Sequence, residues 1–544
     1  KVNSGDAFYD SVNWTFGVMH ATNNLQTIVL QMVYYINDVG ANSDSAVFIP
    51  SFSGTGPSFS ISSTALKFEV VEPRLTLEES VVNPILQTRD AGDTVQYTYV
   101  VSHLKSGSVS NSTAYLVTFQ NTFPYANMTL QYGTVALSAN YPTSAGVNYI
   151  GTGNLNGDTS VSVSVYNLTL VSTTAYDATI TFNTTLGANT IIGLAYINTG
   201  TVTYSSAPNT VSPLGRQYSG SVSLSLQIYD WTTMMHTFSS GTVTQLTLGS
   251  QVTVGETITM TLTITLPEGV IQGMVVTYDL SPSQFSSARV QLVSSQISWF
   301  GSKLSSSAGL TTSSTGISQD HSFSDGIADS VVYTFGTLTN TYDNIVNQQD
   351  TINITIVALV LNNTHNVQGV SVGFAANYTQ TNLGSVTQVL TAAQTVEEPS
   401  LRVNMQIMNF PVTWQAGSTV QMSMLVSHIT SIVNTGDRIS YSPAFSVNLQ
   451  DLTGALSGYL TLQAGSVALS SNYPVSSQNV IVSGNNAGDT SVSVNISAMA
   501  LGSGGSTNLN VTFNATINNA AIVGSPIYNS ANLTYWSVPT SSGT

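Results

Sequence analysis

Two stretches of this chain are versions of one another. Residues 92–104 read GDTVQYTYVVSHL and residues 417–429 read GSTVQMSMLVSHI. The pairs continue in the same order: TVALSANYP (134–142) with SVALSSNYP (466–474), GDTSVSVSV (157–165) with GDTSVSV (488–494), and ATITFNTTL (178–186) with LNVTFNATI (509–517). An offset held over so many segments means that one folding unit occurs twice, with something else between the copies. The copies cover 73–212 and 399–544.

The intervening unit, 213–398, has its own signature: GSVSLSLQIYD, VGETITMTLTITLPEG and DSVVYTFGTLTN. The start of the chain echoes only its later half. Asp10-Ser11-Val12-Asn13-Trp14-Thr15-Phe16-Gly17 matches Asp329-Ser330-Val331-Val332-Tyr333-Thr334-Phe335-Gly336. Both lead into a Glu-Pro step, Glu72-Pro73 and Glu398-Pro399. The order is therefore a partial unit (1–72), a first-type unit (73–212), a second-type unit (213–398) and a first-type unit (399–544). A half unit leaves strand edges unpaired and a core open. Three readings stand: the chain is a piece of a longer array, another subunit completes 1–72 by strand addition and a head-to-tail homopolymer follows, or 1–72 is a free-standing compact half unit. The opening Lys1 suits a processed chain or a fragment.

Within the units apolar residues alternate with polar ones. In 94–101, Val95, Tyr97, Tyr99 and Val101 share one face, and Gln96 and Thr98 share the other. Val, Thr, Tyr and Ile abound, and turn residues separate the runs. The expected fold class is all-β: tandem immunoglobulin-like β-sandwiches in an elongated array.

Charged residues make up only 7% of the 544, against 42% hydrophobic. Typical domains carry about 25% charged residues. A surface so poor in charge needs another means of solubility, either attached sugar or burial in an assembly. The net charge is −16, and the ten Lys and Arg are scattered, which excludes nucleic acid as a partner. Cys is absent, and no apolar run is long enough for a membrane span. The expected location is extracellular, at a cell surface.

At these motifs the chain resembles the DUF11-type and related immunoglobulin-like repeats of large surface proteins. The resemblance rests on GDTVQYTYVV (92–101), VGETITMTLTITLPEG (254–269), YTFGTLT (333–339) and DTINITIVALV (350–360). It implies a stalk, filament or surface-layer role. Some relatives carry Lys–Asn isopeptide cross-links. With only four Lys, none recurring between the copies, that feature does not transfer.

Sugar acceptors of the form Asn-x-Ser/Thr occur at Asn13, Asn111, Asn127, Asn167, Asn183, Asn353, Asn362, Asn377, Asn495, Asn510, Asn514 and Asn532. Chance gives a similar count in so Asn-rich a chain, so placement matters more. A glycan needs a solvent-facing side chain. Strand alternation puts most of these on the polar phase, and Asn183 and Asn514 hold equivalent repeat positions. Asn167 continues the buried phase of Val161, Val163 and Val165 unless a bulge intervenes. The Ser/Thr tract 305–315 could take O-linked sugar.

Signals for catalysis are weak. His20, His103, His236, His321, His365 and His428 lack metal-ligand spacing. His103 and His428 are repeat-equivalent and read as strand caps. Glu78-Glu79 and Glu397-Glu398 are paired carboxylates near unit junctions, without a visible cleft partner. The loops 154–158 and 485–489, and Glu72 or Glu398 at hinges, admit a calcium reading; Asn and Gly turn chemistry explains the loops more simply. No cofactor is expected beyond N-linked and O-linked glycans and this weak calcium option. The sequence points to a non-enzymatic subunit of a glycosylated extracellular fibre. The alternative is an adhesin or surface-layer stalk with a ligand-binding domain, for which Trp231, Trp299, Trp414 and Trp536 are candidate contacts.

Overall fold

The structure, a computed structural model, describes residues 2–3, 9–11, 14–16, 29–31, 46–56, 59–64, 67–82, 88–104, 112–123, 127–144, 146–169, 177–208, 215–240, 251–280, 282, 288–321, 323–383, 388–429, 439–448, 459–502, 505–506, 508–524, 526–527 and 529–536. Strands dominate them. The helical elements among them are the short 3-10 turns Gln348–Asp350 and Thr381–Leu383. The expectation of an all-β chain of tandem sandwiches holds.

The 73–212 unit has two antiparallel sheets. The first runs Met128–Leu130, Ala178–Leu186, Thr94–His103, Leu75–Val81, with Ala136–Leu137 also paired to Ala178–Leu186. The second runs Asn148–Thr152, Ser160–Leu168, Ala114–Thr122, Ala195–Ser205, Gln217–Gln227. Period-two alternation makes each sheet one-sided. Val95, Tyr97, Tyr99, Val101, Ile180 and Phe182 of the first sheet are buried, as are Phe119, Val161, Val163, Val165 and Val202 of the second. The faces meet through rings: Tyr99 lies 4.6 Å from Phe119, and Phe123 lies 5.6 Å from Phe182, centroid to centroid. Each such ring contributes about 1.5–3 kcal/mol by leaving water.

One strand falls outside its expected unit. Gln217–Gln227 was expected to open the 213–398 unit, yet it pairs along its whole length with Ala195–Ser205. Its alternation is that of any one-sided strand, so the pattern does not reveal which sheet it joins.

The 399–544 unit repeats this plan. One sheet runs Leu401–Ile407, Thr419–His428, Leu509–Ile517, Leu460–Leu462, with Ala468–Leu469 also on Leu509–Ile517. The other runs Asn479–Ser483, Ser491–Ile496, Ile439–Asn448, Ser530–Trp536, with Ala498–Gly502 also on Ile439–Asn448. Its core is separate from that of the preceding units. The repeat-equivalent histidines are buried and join the two sheets. His103 Nε2–H donates to the Leu168 carbonyl at 2.8 Å, and His428 Nε2–H to the Met499 carbonyl at 3.1 Å. They are cross-sheet ties, with the carbonyl acceptor fixing the tautomer.

The 213–398 unit packs a four-stranded sheet (Thr233–Ser240, Thr257–Thr265, Thr351–Val360, Val290–Phe300) on a larger one. The larger sheet contains Gln388–Val396, Ser371–Thr379, Gly269–Asp279 and Ser330–Asn340. Its core is continuous with that of 73–212. In 1–72, Ser51–Gly56 pairs with Phe59–Thr64, and Val47–Phe48 with Phe68–Glu69. Phe52, Ile61 and Phe68 remain exposed there, and no residue of this unit joins either core among the described residues.

Candidate functional site

The most elaborated polar site is the junction between 73–212 and 213–398. Two backbones interlock there. Ile192 N–H donates to the Val270 carbonyl at 2.9 Å, and Val270 N–H to the Thr190 carbonyl at 2.8 Å. Ala91 N–H donates to the Glu268 carbonyl at 3.1 Å, and Glu268 N–H to Asp90 Oδ2 at 3.0 Å. Gly269 permits the approach: its φ is +121°, and a Cβ there would lie 2.6 Å from the Thr190 carbonyl oxygen. Glu268 Oε1 accepts from Asp343 N–H at 2.6 Å, and Asp343 pairs with Lys303. Burial pushes the Asp90 carboxyl up to about 7, and burial also raises Glu268. The Lys303 ammonium holds Asp343 below the ordinary carboxylate range. These acids are engaged by backbone N–H groups, which is the work of a structural joint. Among the described residues no group of three or more His, Asp or Glu has metal-holding geometry.

A second feature anchors the edge strand. The Glu72 carboxylate takes Arg216 Nη1 at 2.8 Å and the Tyr218 hydroxyl, and the Tyr218 ring stacks on Tyr204 at 5.2 Å. Arg216 and Tyr218 flank Gln217 at the start of Gln217–Gln227. The sequence marks Glu72 as a hinge acid with a calcium option; it does not show that its carboxylate meets Arg216 and Tyr218. The available signal was a rare cation, Arg216, followed two residues later by an aromatic.

The loops with a calcium option are closed by their own backbone. Asp158 Oδ2 accepts from Leu155 N–H at 2.9 Å and Gly153 N–H at 2.5 Å; Asp489 Oδ2 accepts from Asn486 N–H at 2.9 Å and Gly484 N–H at 2.6 Å. Gly157 and Gly488 hold φ of +95° and +90°. This is turn chemistry repeated in both copies.

Inside the 73–212 sandwich lies a polar cluster. The Tyr99 hydroxyl donates to Glu79 Oε1 at 2.6 Å and accepts from Asn121 Nδ2 and Asn198 Nδ2, both at 2.9 Å. Burial pushes Glu79 up to about 7, against the lowering effect of its hydrogen bonds. In 399–544 the positions in the same register as Glu79, Tyr99 and Asn121 are Met405, Met424 and Val447. The polar cluster thus belongs to one copy and is not part of the repeat's shared framework.

Of the acceptor asparagines, Asn13 and Asn111 lie outside the described residues. Asn167, Asn362, Asn495 and Asn532 are exposed; Asn127, Asn183, Asn353, Asn377, Asn510 and Asn514 are half-buried. Asn167 escapes the buried phase through a bulge. Leu116 on the adjacent strand sits at φ +51° and that strand bulges against Ala195–Ser205; Asn167 stays in unbroken register with Tyr115, and Leu168, opposite the buried Ala114, turns inward in place of Asn167. Asn127 Nδ2 donates to Tyr196 Oη at 3.4 Å, and Asn510 Oδ1 accepts from Ser423 Oγ at 2.5 Å. In the Ser/Thr tract, Ser305, Ser307, Thr311, Thr312, Ser313 and Thr315 are exposed.

No protein-family profile matches the chain, and no curated protein matches it. Solved structures overlay on parts of it. BcpA, the major pilin subunit of Bacillus cereus, is 7% identical, with 64% of this chain and 74% of that chain covered and a TM-score of 0.23. The 35 kDa C-terminal fragment of the major pilin GBS80 of Streptococcus agalactiae is 10% identical, covering 60% and 91%, with a TM-score of 0.22. The C-terminal domain of the antigen I/II polypeptide BspA of Streptococcus agalactiae is 9% identical, covering 59% and 100%, with a TM-score of 0.21.

Proposed function

We propose that this chain is a non-enzymatic structural subunit of a glycosylated extracellular fibre or cell-surface filament, joined head to tail to copies of itself. The observation that carries the reading is the junction of 73–212 with 213–398. Two sandwiches share one core across a hydrogen-bonded interface. A joint of this kind transmits load, where a flexible linker would leave the units free to move. The scarcity of charge supports a surface covered by sugar or by neighbours. Sugar on the outward positions, with Asn167, Asn362, Asn495 and Asn532 the most accessible, would solubilise the fibre. The exposed apolar side chains of 1–72 support a contact with another subunit through that unit.

Electron microscopy of the purified chain tests this, with glycopeptide mass spectrometry of native material. Fibres with a regular repeat and sugar on the exposed asparagines are expected. A monomer at all concentrations, unsugared in its native source, would overturn the reading.

A second reading, an adhesin or surface-layer stalk, draws on one loop of 399–544. Phe410, Val412 and Trp414 are exposed together there, and the two rings lie edge to face at 6.4 Å. Specific capture of one glycan or protein ligand, lost in Trp414→Ala, would favour it.

A further inference from the structure

The outermost strand of the second sheet of 73–212, Gln217–Gln227, pairs on one side only among the described residues. Its inner edge runs beside Ala195–Ser205 for eleven residue pairs without a slip in register. The bonds at its two ends fix which groups face inward. Ser206 N–H donates to the Arg216 carbonyl at 2.9 Å, and Ile228 N–H to the Leu194 carbonyl at 3.0 Å. An antiparallel ladder bonds every second residue. The even-numbered residues from 216 to 228 therefore turn their backbone N–H and C=O toward Ala195–Ser205. Gln217, Ser219, Ser221, Ser223, Ser225 and Gln227 turn theirs outward, where no backbone group meets them among the described residues. The side chains of Gln217, Ser219, Ser221, Ser223 and Ser225 are exposed. On the core face Tyr218, Val222 and Leu224 pack against the core and are only half-buried.

Proteins block a long edge with a charge, a proline or a bulge, or keep it short. Other edges of this chain do so. Leu75–Val81 carries Glu78 and Glu79, and Leu401–Ile407 carries Arg402. Asn148–Thr152 and Asn479–Ser483 are five residues long and slip in register. Val290–Phe300 slips twice, and Thr233–Ser240 is eight residues long with His236 inside it. Gln217–Gln227 has eleven residues and no charge, proline or bulge. It holds no asparagine either, so no N-linked sugar attaches to it.

The strand is its own complement. Laid antiparallel on a second copy about a two-fold axis at Val222, it matches Gln217 with Gln227, Ser219 with Ser225 and Ser221 with Ser223, all of them outward-bonding positions. On the core face Val222 meets Val222 of the second copy, Gly220 meets Leu224, and Tyr218 meets Leu226. Exposed polar residues pair with one another, and the buried phase of each sheet continues into the next.

We propose that the outer edge of Gln217–Gln227 is a lateral docking site for the same strand of a second copy, joining two chains side by side through one continuous sheet. The interface is isologous, so each chain uses its edge once and the contact closes at two. Backbone hydrogen bonds supply the affinity, and covering the half-buried Val222 and Leu224 adds to it. This contact is separate from head-to-tail joining and does not rest on the fibre reading.

The test is sedimentation velocity of the full chain over a concentration series. The wild type should dimerise. Ser221→Lys with Ser223→Lys sets Lys opposite Lys on both sides of the two-fold axis and should weaken the dimer at least about ten-fold. Ser221→Lys with Ser223→Glu sets Lys opposite Glu at the same points and should bring the affinity back near wild type. Ser221→Pro removes an outward N–H and no inward bond, and should abolish the dimer. Urea midpoints of the two charge variants should match wild type, since both positions are exposed, so their comparison does not hinge on how Ser221→Pro folds. A wild-type chain that stays monomeric, a dimer indifferent to these substitutions, or one weakened equally by both charge patterns overturns the site. A lateral dimer that forms no fibre would leave this site standing and remove the fibre reading. Fibres built of single, laterally unpaired chains would do the reverse.

Discussion

Leu401 donates its backbone N–H to the hydroxyl of Tyr535 at 3.2 Å, tying the first strand of its unit to the last. Leu75 and Tyr204 make the same bond in the other copy. Tyr535→Phe should lower the stability of 399–544 by about 1–3 kcal/mol, because it leaves a partly buried N–H without its acceptor. The cost should appear as a shifted urea midpoint for this unit, which has its own core. Tyr204→Ala should cost more than Tyr535→Ala, since Tyr204 also stacks on Tyr218. Equal costs would mean that the edge strand adds nothing to this corner.

The acids of the 73–212 unit give stability a direction with pH. Glu79 titrates at about 7 in the fold, and an unfolded glutamate at about 4.3. The folded chain therefore holds this proton more tightly than the unfolded chain. The Glu79 contribution is present in full below the unfolded value and is lost as pH rises to about 7. Asp90, also at about 7, acts in the same sense. His236, lowered by burial, acts in the opposite sense in the acid range. The wild-type minus Glu79→Gln difference isolates Glu79. Denaturation midpoints at pH 5 to 8 should fall less in Glu79→Gln, and parallel curves would refute the assignment.

Gly269 and Gly309 both hold left-handed φ, +121° and +73°. A Cβ on Gly309 meets nothing within 4 Å, so Gly309→Ala should cost about 1–2 kcal/mol from backbone strain alone. A Cβ on Gly269 drives into the Thr190 carbonyl at the junction. Gly269→Ala should cost more and should separate the two units. Limited proteolysis near 228–233 would detect that opening, and two variants cleaved alike would argue against a rigid joint.

Sugar occupancy should follow exposure. If the native source glycosylates, Asn167, Asn362, Asn495 and Asn532 should be the most completely modified. Asn353 and Asn377 should be the least, since their side chains are half-buried and their Oδ1 atoms are covered. Glycopeptide mass spectrometry ranks them directly. Full occupancy at Asn353 with none at Asn167 would reverse the order.

The sandwich was legible because burial imposes a two-residue period, and Tyr97, Tyr99, Ile180 and Phe182 obey it. Features that depend on a third dimension were not. Asn167 turns outward because Leu116, a residue with no particular liking for left-handed φ, bulges the neighbouring strand. Gln217–Gln227 joins the preceding sheet because of Glu72, 145 positions before Gln217 in sequence. Local pattern carries neither fact.

Comparing the two copies exposes a coupled pair. A Cβ on Gly200 would land on the Tyr99 ring and lie 3.0 Å from Phe119. In the other copy the residues in the same register are Ala531 and Met424. A flexible thioether yields where a ring cannot. Gly200→Ala alone should therefore destabilise 73–212 by about 1–3 kcal/mol through overpacking. Tyr99→Met alone removes the hydroxyl that Glu79, Asn121 and Asn198 share, and should also destabilise. The double variant should be more stable than the sum of the two, with a coupling of about 0.5–3 kcal/mol. Adding Glu79→Met and Asn121→Val completes the graft of the Met405, Met424 and Val447 arrangement. That set replaces three of the four polar groups and keeps Asn198, as the other copy keeps Asn529; it should be more stable than Tyr99→Met alone and should abolish the Glu79 share of the pH slope. Strict additivity in the Gly200/Tyr99 cycle would show that the two positions do not sense one another.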